Sequence, residues 1–291
     1  MVPSLGRPAR VVRRRTIKGM TDDAVRVRGL RKSYRDTVAV DGLDLTIAHG
    51  EVRALLGPNG AGKTSTVEIL EGHRPRDGGD VSVLGVDPAH AGVAWRREIG
   101  IVLQSTADGA ELTVAELIAH VARYFPRPRG LAETLELVGL TDKRDSRIRK
   151  LSGGQRRRLD VGLGIVGRPR LLFLDEPTTG FDPVARRQFW STVRGLDTTV
   201  LLTTHYLEEA EALADRVTVI ADGRVVAEGT PDTLGARDVA TVVWRDGREQ
   251  TADPAAVVAR LSAAYGGQVP GLSVVRPSLE DVYLDLIGGS R

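Results

Sequence analysis

Residues 51–72 read "EVRALLGPNGAGKTSTVEILEG", and their order dictates a strand, a glycine loop and a helix. The apolar run "VRALL" is strand-length, and "KTSTVEIL" carries its apolar residues at helical spacing. Between them Gly57, Pro58, Asn59, Gly60, Ala61, Gly62, Lys63 and Thr64 match G-x-x-x-x-G-K-[ST] in full and in the required strand-to-helix context. Glycines let the backbone curl until successive N–H groups face one anion, and a helix starting there adds its dipole. Lys63 then offers a cation to the β- and γ-phosphates, Thr64 an oxygen to Mg²⁺, and Ser65 follows on the same turn. An incidental lysine in a glycine-rich turn would not fit all eight positions in register. The stretch therefore predicts a nucleoside triphosphate site on an α/β sheet.

Strand-length apolar runs alternate with helical patterns on both sides of this stretch, the signature of a largely parallel sheet. Strands are expected at 24–30, 38–47, 51–57, 99–104, 171–176, 199–205 and 216–223. A mostly helical stretch from about 112 to 166, holding "TVAELIAHVARYF" and "AETLELVGL" around the break "PRPRG", reads as an insertion into that sheet, a helical subdomain over about 105–166. After "GRVVAEGTP" the pattern changes to a hairpin around Asp246-Gly247, a helix "DPAAVVARL", a strand and a last helix "SLEDVYLDLIG". The expected division is a nucleotide-binding domain over 21–231 and a small α+β accessory unit over 232–291. No internal repeat appears, so each motif occurs once.

Composition excludes several classes. With 291 residues and 41% hydrophobic content the chain can bury a sizeable core. It has no run of about 18 apolar residues and no secretory leader pattern, which predicts a cytoplasmic protein. Zero cysteines exclude disulfides and thiolate metal sites, and five scattered histidines argue against structural zinc. The formal charge of +3 is misleading as a sign of nucleic acid binding. Residues 1–20 hold six basic side chains and no acidic one, and removing them takes the charge from +3 to −3. That segment is expected to be a disordered tail, and Met20 is an alternative translation start.

Further candidates cluster at strand ends. "LLFLDEP" is an all-apolar strand ending in Asp175 and Glu176. Alternating strand faces would let Asp175 hold Mg²⁺ while Glu176 aims at a water as general base. Taken alone, two acids there would as readily be turn residues or caps; the pairing with Lys63 decides for chemistry. "TVLLTTH" ends at His205, whose imidazole can donate to a γ-phosphate oxygen above the strand ends. Gln104 closes the strand "IGIVLQ" with an amide suited to Mg²⁺ or its water. Tyr34, in a chain with 4% aromatics, either stacks on a base or fills the core.

"LSGGQRRRLD", from Leu151 to Asp160, presents a second puzzle: Ser152, Gly153, Gly154 and Gln155 open a helix and so make a second anion site, 89 residues beyond Lys63. With the phosphate loop, a glutamine-ended strand, "LSGGQ", "LLFLDEP" and "TTH" in this order, the chain resembles the nucleotide-binding subunits of ATP-binding cassette (ABC) transporters from Val25 to about Pro231. That resemblance implies the P-loop NTPase fold of an ABC nucleotide-binding domain, ATP and Mg²⁺ as cofactors, and ATP hydrolysis coupled to transport. It also implies that Ser152 to Gln155 complete the ATP site of a second cassette, in a homodimer or a related pair, with Asp182 in the loop along that interface. "LLFLDEPTTGFDPVARRQFW" and the final "PSLEDVYLDL" look like ATPase subunits of drug-resistance and antibiotic self-resistance exporters of the daunorubicin-resistance type. Such a subunit sits on the inner face of the membrane and drives a separate multi-span permease; the dock is expected in the helical insertion, particularly 112–125. The chain departs from the commonest pattern at Gly180-Phe181 and at Arg157, where glutamine is frequent; neither position is expected to touch the chemistry.

Two other functions share these catalytic residues. A soluble cassette ATPase acting on ribosomes or nucleic acid is disfavoured by the single motif set, the absence of a heptad run between the motifs, and the negative body charge. The ATPase of an importer is separated only by the local resemblance and the "LEDVYL" tail.

Overall fold

A computed structural model describes residues 23–102, 111–234, 239–275 and 279–288. The expected tail at 1–20 and Gln104 lie outside the described residues. In chain order the elements are β1 (Asp23–Tyr34), β2 (Thr37–Ala48), β3 (Val52–Leu56), α1 (Lys63–Leu70), β4 (Gly78–Val83), α2 (Val93–Arg96), β5 (Ile99–Val102), α3 (Val114–Ala122), α4 (Leu131–Leu137) and α5 (Gly153–Ile165). There follow β6 (Leu171–Asp175), α6 (Pro183–Arg194), β7 (Thr199–Thr204), α7 (Leu207–Leu213), β8 (Arg216–Ala221), β9 (Arg224–Gly229), β10 (Ala240–Trp244), β11 (Gly247–Thr251), α8 (Pro254–Ala264), β12 (Ser273–Val275) and α9 (Leu279–Gly288).

The main sheet runs β5-β6-β7-β3-β8-β9, parallel throughout except for β9. Its centre is covered on both faces, which is why β6 and β7 are nearly continuous apolar runs. Period-2 alternation divides them cleanly: Leu172, Leu174, Val200 and Leu202 pack toward the helical side, Leu171, Phe173 and Leu201 toward α1 and the second sheet. Register does the rest. Leu56 pairs with Thr204, and Asp175 with Thr203, so β3, β6 and β7 deliver their carboxyl ends side by side. Open α/β sheets bind ligands at that edge.

Three features differ from the sequence expectation. β1 and β2 do not extend the parallel sheet; they form a separate antiparallel sheet, β2-β1-β4, whose register shifts several times along β1. β4 and β9 were not anticipated, since their burial is patchy and their residues lack a long apolar run. The hairpin of β10 and β11 turns at Arg245-Asp246, with Trp244 opposite Gly247, and α8 lays Val257 and Leu261 against Val242. α9, expected with that unit, instead buries Leu279 in the large cluster that holds Leu213 of α7.

Candidate active site

The phosphate loop leaves β3 at Leu56 and enters α1 at Lys63. Glycine is obligatory at both ends of the turn. A Cβ on Gly57 would stand 2.3 Å from the Ile220 carbonyl oxygen, and one on Gly62, whose φ is +99°, 2.2 Å from that of Ala39. Gly62 caps α1 without a side-chain bond, so the first N–H groups of the helix remain turned outward. The Lys63 ammonium is buried and donates to the carbonyls of Gly57 (2.7 Å) and Pro58 (2.9 Å). Burial pulls its pKa down, and the charges of Glu176 and Asp175 push it back up.

The same cleft is lined by Tyr34, Thr37, Asn59, Thr64, Ser65, Asp175 and Glu176, with a volume of about 310 Å³, at the lower end of what encloses a small ligand. Tyr34 lies outside the apolar clusters; its hydroxyl sits 3.1 Å from Ser65 Oγ, and Lys32 and Arg74 stand over its ring at 5.4 and 5.1 Å. Tyr34 therefore lines the cleft and does not fill the apolar core.

Strand alternation is not what separates the two acids. Asp175 ends β6, whereas Glu176 has left the strand with a φ of +42°, a left-handed conformation unusual for a side chain of its size. That turn brings both carboxyls to one cleft. Asp175 Oδ1 accepts from Thr203 Oγ (2.5 Å), and the Glu176 N–H donates to Thr203 O and Oγ, both 3.1 Å away. His205 Nδ1 lies 3.3 Å from Glu176 Oε1, its ring tilted over Tyr206 at 4.1 Å, so the imidazole faces the carboxylate from the adjacent strand end.

Ser152 caps α5 and forms a capping box with Gln155: its Oγ accepts from the Gln155 N–H at 3.3 Å, and its own N–H donates to Gln155 Oε1 at 3.0 Å. The hydroxyl proton of Ser152 is still available to a ligand. Ser152 and Gly153 are exposed, and neither lines the cleft around Lys63. A Cβ on Gly154 would come 3.0 Å from that of Ala185, while one on Gly153 would meet nothing within 4 Å. Asp182 caps α6, accepting from the N–H groups of Val184 and Ala185 at 2.9 Å.

The family model described as "ABC transporter" matches residues 40–179. Over 94% of its length the chain is 39% identical to the daunorubicin resistance ATP-binding protein DrrA3 of Streptomyces coeruleorubidus, 98% of which is covered. The chain belongs to the ABC transporter family. It is an ATP-hydrolysing cassette of that family, and it is also 37% identical to the Nod factor export ATP-binding protein I of Rhizobium sp. (strain N33), with 92% of this chain and 98% of that one aligned. Among solved structures, an ATP-binding subunit of an ABC transporter superposes with a TM-score of 0.67 at 22% identity, covering 90% of this chain and 99% of that one. A dimeric cassette in a post-hydrolysis state bound to ADP and phosphate gives 0.63 at 22%, covering 71% and 98%. The last two show the fold.

In this ABC cassette, Thr64 and Asp175 present a hydroxyl and a carboxylate to one cleft, hard oxygen donors of the kind Mg²⁺ takes while keeping phosphates and waters as its other ligands. Among the described residues no group of three His, Cys, Asp or Glu side chains could hold a metal ion. The sequence does not foretell the contacts of Thr203, which bonds to both Asp175 and Glu176, or of Arg157, which donates to the carbonyls of Asp175 and Pro177. Thr203 has a signal in hindsight: it is the strand neighbour of Asp175 in the register of two consecutive apolar runs. Arg157 has none, because its partners are backbone carbonyls 18 and 20 residues away.

Proposed function

We propose that two of these cassettes close on each other with ATP between them, each nucleotide held by the phosphate loop of one and by Ser152, Gly153, Gly154 and Gln155 of the other. The observation that carries this reading is Gly153. A side chain on its neighbour Gly154 would press on Ala185, but none of the described residues crowds Gly153, which opens a 13-residue helix at the surface. An anion arriving from outside the chain gives that glycine a purpose. The small, open cleft at Lys63 fits the same reading, since a half-site needs a second wall.

When ATP enters, the Lys63 ammonium exchanges the carbonyls of Gly57 and Pro58 for phosphate oxygens. Mg²⁺, held by Thr64, Asp175 and Gln104, would neutralise charge on the phosphates. Glu176 takes the proton of the attacking water, and His205 at its side donates toward the γ-phosphate. Loss of that phosphate removes the shared contacts, so the pair opens.

The work done is export of a drug-like or other hydrophobic compound. Relatives spanning nearly the whole chain are named for drug resistance and for Nod factor export. Among the described residues no helix is long and apolar enough to cross a membrane; in this reading the compound passes through a separate multi-span subunit. The exposed Leu112 and Tyr124, flanking α3, support docking of that subunit on the helical stretch, at the inner face of the membrane. Fractionation of native cells tests this. Retention on membranes that depends on one multi-span partner is the expected result; sedimentation with ribosomes or nucleoid would leave the ATPase and overturn its use in export.

A further inference from the structure

Glu176 occupies a backbone conformation that must be held in place, because the left-handed region is strained for a residue other than glycine. From one side β7 holds it, through the bonds from its N–H to Thr203. From the other side comes Arg157, a buried side chain of α5. Arg157 Nε donates to the Pro177 carbonyl at 3.0 Å and Nη2 to the Asp175 carbonyl at 2.8 Å. These are the carbonyls immediately before and after Glu176. A planar guanidinium is suited to this task, because two N–H vectors in fixed relation define the separation and orientation of the two oxygens they grip. Asp160, one turn further along α5, stands 4.0 Å from Nη1 and keeps a countercharge beside the buried cation.

We propose that Arg157 is a positioning residue for hydrolysis: it clamps the backbone on both sides of Glu176 and thereby fixes where the carboxylate aims. The inference rests on the reading of Glu176 as general base. A glutamine Nε2 stands the same number of bonds from the backbone as an arginine Nε, so it can keep the bond to Pro177 while the one to Asp175 is lost. A nucleotide makes no contact with Arg157 in this scheme, so the clamp acts on the chemical step and not on affinity.

The test compares Arg157→Gln and Arg157→Met with the wild type in steady-state ATP hydrolysis, with thermal unfolding as the control. Methionine keeps the buried bulk and has no donor. Its kcat is expected to fall by about tenfold or more, as misplacement of a reacting group does, while KM for Mg-ATP changes little. Glutamine is expected to lie between methionine and wild type in kcat, with unchanged KM. Equal kcat for both variants and the wild type would overturn the inference, as would a change confined to KM. Should the methionine variant fail to accumulate, the glutamine variant decides alone: a severalfold lower kcat supports the clamp and an unchanged kcat refutes it. Glu176→Gln separates the two layers of the argument. If it turns over at the wild-type rate, the general-base reading fails; if it is inactive while Arg157→Met keeps its kcat, only the clamp is lost.

Discussion

Gly153→Ala should move stability and turnover in opposite directions. Gly153 is the first residue of α5, with helical backbone, and an added methyl would meet no atom within 4 Å. Replacing a helical glycine by alanine removes unfolded-chain freedom and gains up to about 1 kcal/mol, less at the first position than in the interior. For a chain of this size that corresponds to a rise in Tm of about 0–4 °C. In the proposed pair, however, the Gly153 backbone lies against the phosphate held by the other cassette, and a methyl there displaces it. Loss of one charge-assisted hydrogen bond costs about 1.5–3 kcal/mol, which is roughly a 10- to 150-fold fall in kcat/KM. The assay is thermal unfolding, ATP binding by the monomer and steady-state hydrolysis on the same preparation. Wild-type turnover with intact stability would refute the idea that this open glycine receives a ligand; a fall in Tm of several degrees would show that the fold itself demands it.

Glu176→Gln should bind ATP, hydrolyse it at a small fraction of the wild-type rate, and accumulate as an ATP-bound dimer in light scattering, because the sandwich forms and then cannot be dissolved. Ser152→Arg should bind ATP as a monomer with nearly unchanged affinity yet fail to dimerise; loss of nucleotide binding in titration would contradict the division of labour between the two cradles. Glu71, buried at the end of α1, has its pKa pushed from 4.5 up to about 8 by burial, with the charges of Asp175 and Glu68 adding to it. Its carboxyl therefore keeps its proton in the folded state, in contact with His73 Nδ1 at 3.2 Å, while the unfolded chain ionises it from about pH 4.5. The stability this provides is complete below pH 4.5 and is lost as pH rises toward 8. Glu71→Gln, which cannot ionise, should show a shallower fall of Tm between pH 5 and 8, and an identical pH profile would refute the assignment.

The placement of the candidate residues was legible wherever it depends on neighbours in the chain. The phosphate loop, Asp175, Glu176, His205 and the Ser152 helix start are contiguous motifs, and the parallel sheet follows from runs such as "LLFLD" and "TVLLTT" that must be buried on both faces. What the sequence does not spell out is pairing at a distance. Nothing local tells β1 and β2 to leave the main sheet and take β4 as a third strand, since a solvated antiparallel strand and a half-buried parallel one share the same alternation. Nor does "DEP" show that Glu176 turns left-handed, a conformation stabilised by Thr203 and Arg157 from other elements. Arg157 sits in a run of three arginines that reads as a solvated face, yet only this one of the three is buried.

The most direct test of the shared sandwich mixes two inactive variants. Lys63→Ala destroys a phosphate loop and leaves the α5 start intact; Ser152→Arg does the reverse. If each ATP lies between the loop of one chain and the α5 start of another, a mixed pair contains one site with both defects and one with none. Equal amounts should then recover hydrolysis that neither variant shows alone, up to about half of the wild-type rate, because only mixed pairs can close and one of their two sites is whole. A rate no higher than that of either variant alone, with both folded and binding-competent where expected, would contradict the account.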